Sequence, residues 1–342
     1  MTVRVGVIGT GMIGQDHIRR ITHVVPGGVI AAVTDVDQVR AGQAAAGLPA
    51  AVVHPTGKEL IADDGVDAVL VTSWGPTHEE HVLAAIEAGK PVFCEKPLAT
   101  TQEACLRIMA AEMAAGRRLV QVGFMRRYDA GYRALKAAVA GGAIGTPLLM
   151  HCAHRNPSAP PYGFTTESII TDSAVHEIDL VRWLFEEEIA AASILKPRPS
   201  RRGGPGVQDP LIVVLEMASG ILVDVEVFVN AGYGYDIRGE VVGESGTASL
   251  ASSPAGDVTV RAGGQRGGHV PADWRERFGR TFDTEFAGWL QAVAAGEAAD
   301  PAGPGSWDGY AATAVAESCV AALHSGQRCV VPMSARPEFY AK

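Results

Sequence analysis

Hydrophobic positions in the first third of this chain fall into short, almost unbroken runs: Val3 to Ile8, Val29 to Thr34, Ala68 to Thr72, Pro91 to Cys94 and Leu119 to Val122. Between them lie Met12 to Val24, Val36 to Ala45, His78 to Glu87 and Gln102 to Ala115, each with apolar residues at helical spacing. Unbroken apolar runs suit strands covered on both faces, and strands alternating with helices wind into a parallel sheet through crossover connections. Residues 1–123 are therefore expected to form an α/β domain, a doubly wound parallel sheet of the Rossmann type.

Beyond Gly123 the pattern changes. A helical stretch around Gly131 to Ala140, a strand near Leu148 to His154 and a helix from Asp172 to Phe185 lead into β-rich segments at Ile212 to Met217, Ile221 to Val229, Tyr235 to Val242 and Thr247 to Leu250. Turn signals such as Ala218-Ser219-Gly220 and Gly243-Glu244-Ser245-Gly246 join them, which predicts hairpins in a large open, mainly antiparallel sheet. Amphipathic segments at Thr281 to Ala295 and Trp307 to Leu323 close the chain. Residues 124–342 thus read as one α+β domain whose sheet has a far face available to another subunit. Gly-rich loops are expected near Arg201 to Gly206 and Gly263 to Gly268.

Composition narrows the possible partners. With 342 residues, 47% of them hydrophobic, the chain can bury a sizeable core, and its size favours two domains over one. A net charge of -9 without Lys/Arg runs argues against a nucleic-acid surface, which needs a basic stripe to displace counterions. No stretch is apolar and long enough to span a bilayer, and the chain enters a strand pattern without a basic leader, so a soluble cytoplasmic protein is expected. The five cysteines form no CxxC pair and read as reduced core thiols rather than as a disulfide framework or a metal centre. A small molecule is the expected ligand.

Candidate chemistry begins at GTGMIG, Gly9 to Gly14, which directly follows one apolar run and opens a helix. In that context Gly9 permits a tight turn, Gly11 lets the backbone approach a pyrophosphate, and Gly14 lets the helix press on the strand. The helix start, with Met12 and Ile13, offers main-chain N–H groups to phosphates. Asp35 ends the second run about twenty residues on, where a carboxylate accepts hydrogen bonds from adenosine ribose hydroxyls. That favours NAD over NADP, and no Arg follows at Val36. Helix capping is the alternative use of Asp35, and Asp37 could share it.

Glu95-Lys96-Pro97 stands right after a strand, at the end of the sheet where ligands settle. A Lys in a partly desolvated cleft polarises a carbonyl oxygen or relays a proton, Pro97 fixes the backbone there and admits a cis bond, and Glu95 pairs with the lysine or orients a backbone donor. Asp172 and His176 are four apart on a helix and so project from one face. His176 is the natural general base and Asp172 its orienting partner; a helix N-cap for Asp172 and a core histidine for His176 are the plain alternatives. A metal site using Asp172, His176 and Asp179 is not expected, because no further ligand has suitable spacing.

These residues resemble the glucose-fructose oxidoreductase and inositol dehydrogenase family over most of the chain. The likeness is carried by VTSWGPTHEEHV at Val71 to Val82, VFCEKPLATT at Val92 to Thr101, VGFMRRYD at Val122 to Asp129, HCAHRNP at His151 to Pro157 and VHEIDLVRWL at Val175 to Leu184, the last two being specifically similar to bacterial myo-inositol 2-dehydrogenases. The resemblance implies NAD as cofactor, a polyol substrate and Lys96, Asp172 and His176 as the catalytic set. It implies that Met125, Arg126, Arg127, His154, Asn156 and Tyr235 surround a polyhydroxylated ring, that Ser73, Trp74 and His78 border the cofactor beside Glu95 and Lys96, and that the chain forms a homotetramer. Arg126 and Arg127 read equally as ion-pair partners, and Tyr235 as a core residue. The loop Pro157 to Ile170 and the stretch Gly203 to Gly206 depart from the family's pattern, which leaves open another cyclitol isomer or a pyranose such as glucose as substrate. A dinucleotide-sensing protein without chemistry is the alternative of another class.

Overall fold

The computed structural model describes residues 1–48, 50–160, 163–250, 260–262 and 265–341. Gly263 and Gly264 of one expected Gly-rich loop lie outside the described residues, as do Pro161 and Tyr162 of the Pro157 to Ile170 loop.

The first six strands, β1 (Val3–Ile8), β2 (Gly28–Thr34), β3 (Val52–Val53), β4 (Ala68–Val71), β5 (Val92–Glu95) and β6 (Val120–Gly123), form one sheet in the order β3-β2-β1-β4-β5-β6. Every pairing in it is parallel. Helices α1 (Met12–His23), α2 (Gln38–Ala45), α3 (Gly57–Ala62), α4 (His78–Glu87) and α5 (Gln102–Ala115) make the crossovers. This is the doubly wound Rossmann sheet that the apolar runs predict, and its strand order reverses between β1 and β4. The edge strand β3 is unannounced in the sequence, since both its residues are exposed and two residues make no pattern.

The remaining elements start with α6 (Ala130–Ala140) and β7 (Pro147–Arg155), a single turn α7 (Thr166–Ser168), and a π-helical segment, Ile169–Ala174, that runs into α8 (Val175–Phe185). They continue with β8 (Ile189–Leu195), β9 (Leu211–Met217), β10 (Leu222–Phe228), β11 (Asp236–Gly243), β12 (Gly246–Ser249) and the small hairpin β13 (Val260–Ala262) and β14 (Gln265–Gly267). Helices α9 (Trp274–Ala294) and α10 (Ser306–Ser325) and strand β15 (Cys329–Val330) complete the set. Seven strands form a mixed sheet, β12-β11-β7-β10-β9-β8-β15, in which β7 and β10 run parallel and the other neighbours antiparallel. Strict alternation in β9, with Leu211, Val213, Leu215 and Met217 buried and the residues between them half-buried, marks one covered face and one open face.

The chain divides into two compact units that are not contiguous in sequence: residues 1–124, 282–313 and 334–342 form one, and 125–281 with 314–333 the other. This differs from the expected division, which assigned all of 124–342 to a second domain. The reason is visible in the core of the first unit, where Phe286, Trp289, Leu290 and Val293 of α9 pack with Val5, Ile21, Ile30 and Phe93. Phe286 stacks on Phe93 with ring centres 4.6 Å apart. The helical period of α9 announces an apolar stripe but not which sheet receives it. Cutting Trp289 back to Ala should therefore destabilise the nucleotide-sheet unit by about 3–5 kcal/mol in urea unfolding, the range for a large core aromatic; a loss under about 1 kcal/mol would mean that α9 is not part of that core.

Candidate active site

In the first unit the functional candidates gather at the carboxyl ends of the parallel strands. Gly9 leaves β1 with φ 96°, and a Cβ there would lie 2.6 Å from the Ser73 nitrogen just past β4. A Cβ on Gly14 would lie 2.1 Å from the Gly9 carbonyl oxygen, so α1 is pressed onto the end of β1 as closely as two backbones allow. Gly11 is different: it is the N-cap of α1, bears no capping side chain, and a Cβ there would meet nothing within 4 Å. No side chain caps or crowds the start of α1 at Gly11, with Met12 exposed and Ile13 half-buried next to it, and a helix start left open in this way fits the pyrophosphate of a dinucleotide.

Asp35 directly follows β2 and does not cap the next helix; Asp37 does, accepting from the Val39 and Arg40 N–H groups. The buried Asp35 carboxylate accepts from the Thr10 N–H at 2.6 Å, the Asp37 N–H at 2.9 Å and the Arg40 guanidinium at 2.6 Å. Burial opposes its charge, but Arg40 and these N–H groups outweigh burial and hold the carboxyl at about 2. Arg40 lies five residues past Asp35, beyond the neighbouring position where the sequence reading looked for an arginine.

Lys96, half-buried, follows β5, and its peptide bond to Pro97 is cis. Glu95 is buried, and its Oε2 accepts the Lys96 N–H at 3.1 Å. Its Oε1 lies 2.7 Å from Nε2 of His17, whose Nδ1 lies 2.7 Å from the Arg20 guanidinium. Arginine can only donate, so Nδ1 is an acceptor and Nε2 carries the hydrogen given to Glu95. Arg20 is held in turn by Asp16 at 2.7 Å and Asp283 at 2.8 Å. This relay ties α1 to the turn that carries Lys96, and the sequence reading missed it. Asp16, His17 and Arg20 on the inward face of an amphipathic helix were the available signal, but Glu95 is 78 positions from His17.

Around the end of β4, Ser73 Oγ bonds Thr77 Oγ1 at 2.8 Å and Trp74 is 77% exposed, so Trp74 is not a packing residue. His78 is buried, with Nδ1 2.7 Å from the Pro97 carbonyl and Nε2 3.0 Å from the Ser73 carbonyl. Its ring links the loop after β4 to the Lys96-Pro97 turn. Burial, against those two carbonyls, draws it below the usual histidine range.

In the second unit the organising group is Glu177, fully buried on the first turn of α8 immediately after His176. One carboxylate oxygen pairs with Arg126 and the other lies 2.9 Å from Nδ1 of His154. Nδ1 also lies 3.2 Å from the Arg126 guanidinium, which can only donate, so it cannot serve both neighbours. The carboxylate is nearer and can only accept, so Nδ1 donates to Glu177, the Arg126 approach is not a hydrogen bond, and Nε2 of His154 is left as an acceptor. The His154 ring centre is 6.3 Å from that of His176 and 6.1 Å from that of Tyr235, so the structure brings these three candidates together. Burial raises the Tyr235 phenol above its ordinary range and keeps it a neutral donor. Met125 is buried, and Asn156 follows β7 with its N–H on the Phe228 carbonyl. Arg127 pairs with Asp179. Asp172 lies exposed within the π-helical segment rather than at a helix start; such bulges recur at functional sites.

Residues 3–124 match the oxidoreductase family with an NAD-binding Rossmann fold, and residues 132–249 match the GFO/IDH/MocA C-terminal domain. The chain is 56% identical over 340 residues to inositol 2-dehydrogenase 3 of Saccharopolyspora erythraea, covering 99% of this chain and 98% of that one. It is 50% identical over 342 residues to inositol 2-dehydrogenase of Ralstonia nicotianae, at 99% of each. Its fold is similar to that of myo-inositol dehydrogenase from Lactobacillus casei, solved with NAD(H) and myo-inositol, with a TM-score of 0.95 and 38% identity over all of both chains. The chain belongs to the GFO/IDH/MocA family of NAD-binding oxidoreductases.

The His17 relay has a measurable signature. Burial, with Arg20 alongside, lowers the His17 pKa and outweighs the pull of Glu95. A histidine kept neutral by the fold gains its proton on unfolding, so its stabilisation is whole above about pH 6.5 and is lost as pH falls below that value. His17→Gln should flatten the decline of melting temperature between about pH 7 and pH 5. An unchanged slope would show that His17 is not held neutral.

Proposed function

We propose that this chain is an NAD-dependent inositol 2-dehydrogenase, oxidising the axial carbinol of myo-inositol to the 2-keto product. The observation that carries the reading is its full-length likeness to relatives named for that activity, including one solved with NAD(H) and myo-inositol. Gly9, Gly11, Met12, Ile13 and Gly14 hold the pyrophosphate, Asp35 the adenosine ribose, and Ser73, Trp74 and Lys96 the nicotinamide end, with His78 and Glu95 fixing the turns that carry them. Bound NAD supplies the hydride acceptor.

The chain's own residues then handle the proton and the charge. His176 takes the hydroxyl proton, Asp172 orients the imidazole and the hydroxyl, and the Lys96 ammonium stabilises the negative charge that develops on the substrate oxygen. Met125, His154, Asn156 and Tyr235 line the ring. A polyol suits such a lining because each ring hydroxyl wants its own donor or acceptor, and a buried unpaired one is costly. His154, with Nδ1 given to Glu177, offers Nε2 to a ring hydroxyl, and the neutral Tyr235 offers a proton to another. We also propose a cytoplasmic homotetramer assembled through the open face of the seven-stranded sheet.

Two measurements test this reading. A panel of myo-, scyllo- and chiro-inositol and glucose, assayed by absorbance of reduced nicotinamide, should give the highest turnover on myo-inositol; faster turnover of glucose would make the chain a sugar dehydrogenase, and none on any polyol would support a sensing role. His176→Ala should lower kcat about a hundred- to ten-thousand-fold, the usual worth of a general base, with NAD affinity retained. A near-normal rate would move the base to Lys96 or Asp172.

A further inference from the structure

The Arg40 fork on Asp35 is unused by the chemistry above. Five donors converge on this carboxylate: at Oδ2 the Thr10 N–H at 2.6 Å, the Thr10 hydroxyl at 3.0 Å and Arg40 Nε at 3.2 Å, and at Oδ1 the Asp37 N–H at 2.9 Å and the second Arg40 nitrogen at 2.6 Å. An ionised carboxyl has about four lone-pair sites, so these donors fill it. Ribose hydroxyls can be accepted only where a donor departs. Two of the donors are main-chain groups in the turns after β1 and β2, and the Thr10 hydroxyl is buried. Arg40 is the one that can leave: its side chain is 39% exposed, and its further contact is Asp37, itself half exposed, at 3.9 Å.

We propose that Arg40 is a cofactor-selecting residue that admits NADP as a second, weaker cofactor beside NAD, moving off Asp35 to pair with the ribose 2'-phosphate when NADP binds. The inference rests on the nucleotide reading of Gly9 to Gly14 and Asp35. A 2'-hydroxyl accepted by Asp35 lies within hydrogen-bond reach of that carboxylate, so a phosphate at the same position stands beside the fork already there. The planar guanidinium matches a phosphate dianion through two parallel hydrogen bonds and offsets the repulsion from Asp35. Asp35 and Asp37 both still oppose the phosphate, which is why NAD stays the tighter ligand. When NAD binds, the guanidinium swings towards solvent and Asp35 accepts the ribose hydroxyls.

Calorimetric titration of the purified full chain, without polyol, reads this directly using NAD, NADP and adenosine 2',5'-bisphosphate. The wild type should bind all three, NADP less tightly than NAD. Arg40→Ala should weaken NADP and the bisphosphate about ten- to a hundred-fold, the worth of a charged hydrogen-bonded pair, while NAD binds at least as tightly as before. Asp35→Asn, with Arg40 intact, should tighten NADP and weaken NAD. Binding of NAD with no binding of NADP by the wild type overturns the inference, as does an equal loss for both cofactors, or no loss for NADP, in Arg40→Ala. Failure of the wild type to bind either dinucleotide overturns the nucleotide reading beneath it as well.

Discussion

The close seating of α1 on the end of β1 is the constraint on which the first unit's site depends. With 2.1 Å between a would-be Cβ at Gly14 and the Gly9 carbonyl oxygen, any side chain at position 14 would push the helix away. The helix start would then withdraw from the space beside Gly11. One turn further along, the same displacement would carry His17 away from Glu95, and with it the support of the Lys96 N–H. The glycine turn and the lysine turn are therefore positioned by a single backbone contact.

The second unit solves a different problem, that of keeping several hydrogen-bonding side chains fixed in a buried setting. Glu177 does this by spending one oxygen on Arg126 and the other on His154. Removing one partner of such a pair strands a buried charge, so the arrangement is rigid by necessity. What it secures is orientation: a defined tautomer on His154, with the rings of His176 and Tyr235 close by. For a ring whose hydroxyls differ only in axial or equatorial setting, discrimination among carbons calls for fixed donors and acceptors, since hydrophobic shape alone separates them poorly.

Much of this was legible in the chain. Apolar runs marked β1, β2, β4, β5 and β6 within a residue or two, because strands buried on both faces leave a continuous signal. The glycines, Asp35 and Lys96 stood out because strand ends are where the fold itself collects ligands. Short exposed elements such as β3 were silent, as were β8 and β15, which the antiparallel pattern left out. The helix expected from Asp172 is π-helical up to Ala174, an irregularity that residue spacing does not encode. Above all, residue identity did not disclose partners: His17 with Glu95 and Glu177 with His154 are tertiary pairings, and even the local pair of Arg40 with Asp35, five residues apart, follows no motif. Nor did it disclose that α9 returns to the first unit's core.

The central claim is that hydride leaves one carbinol carbon of a cyclitol. Its most direct measurement supplies myo-inositol deuterated at carbon 2 with NAD and follows the label by mass spectrometry of the reduced nucleotide. The account predicts one deuterium per reduced nicotinamide and slower turnover than with unlabelled myo-inositol. Reduced nucleotide that carries no label, or no reduction at all, would contradict it.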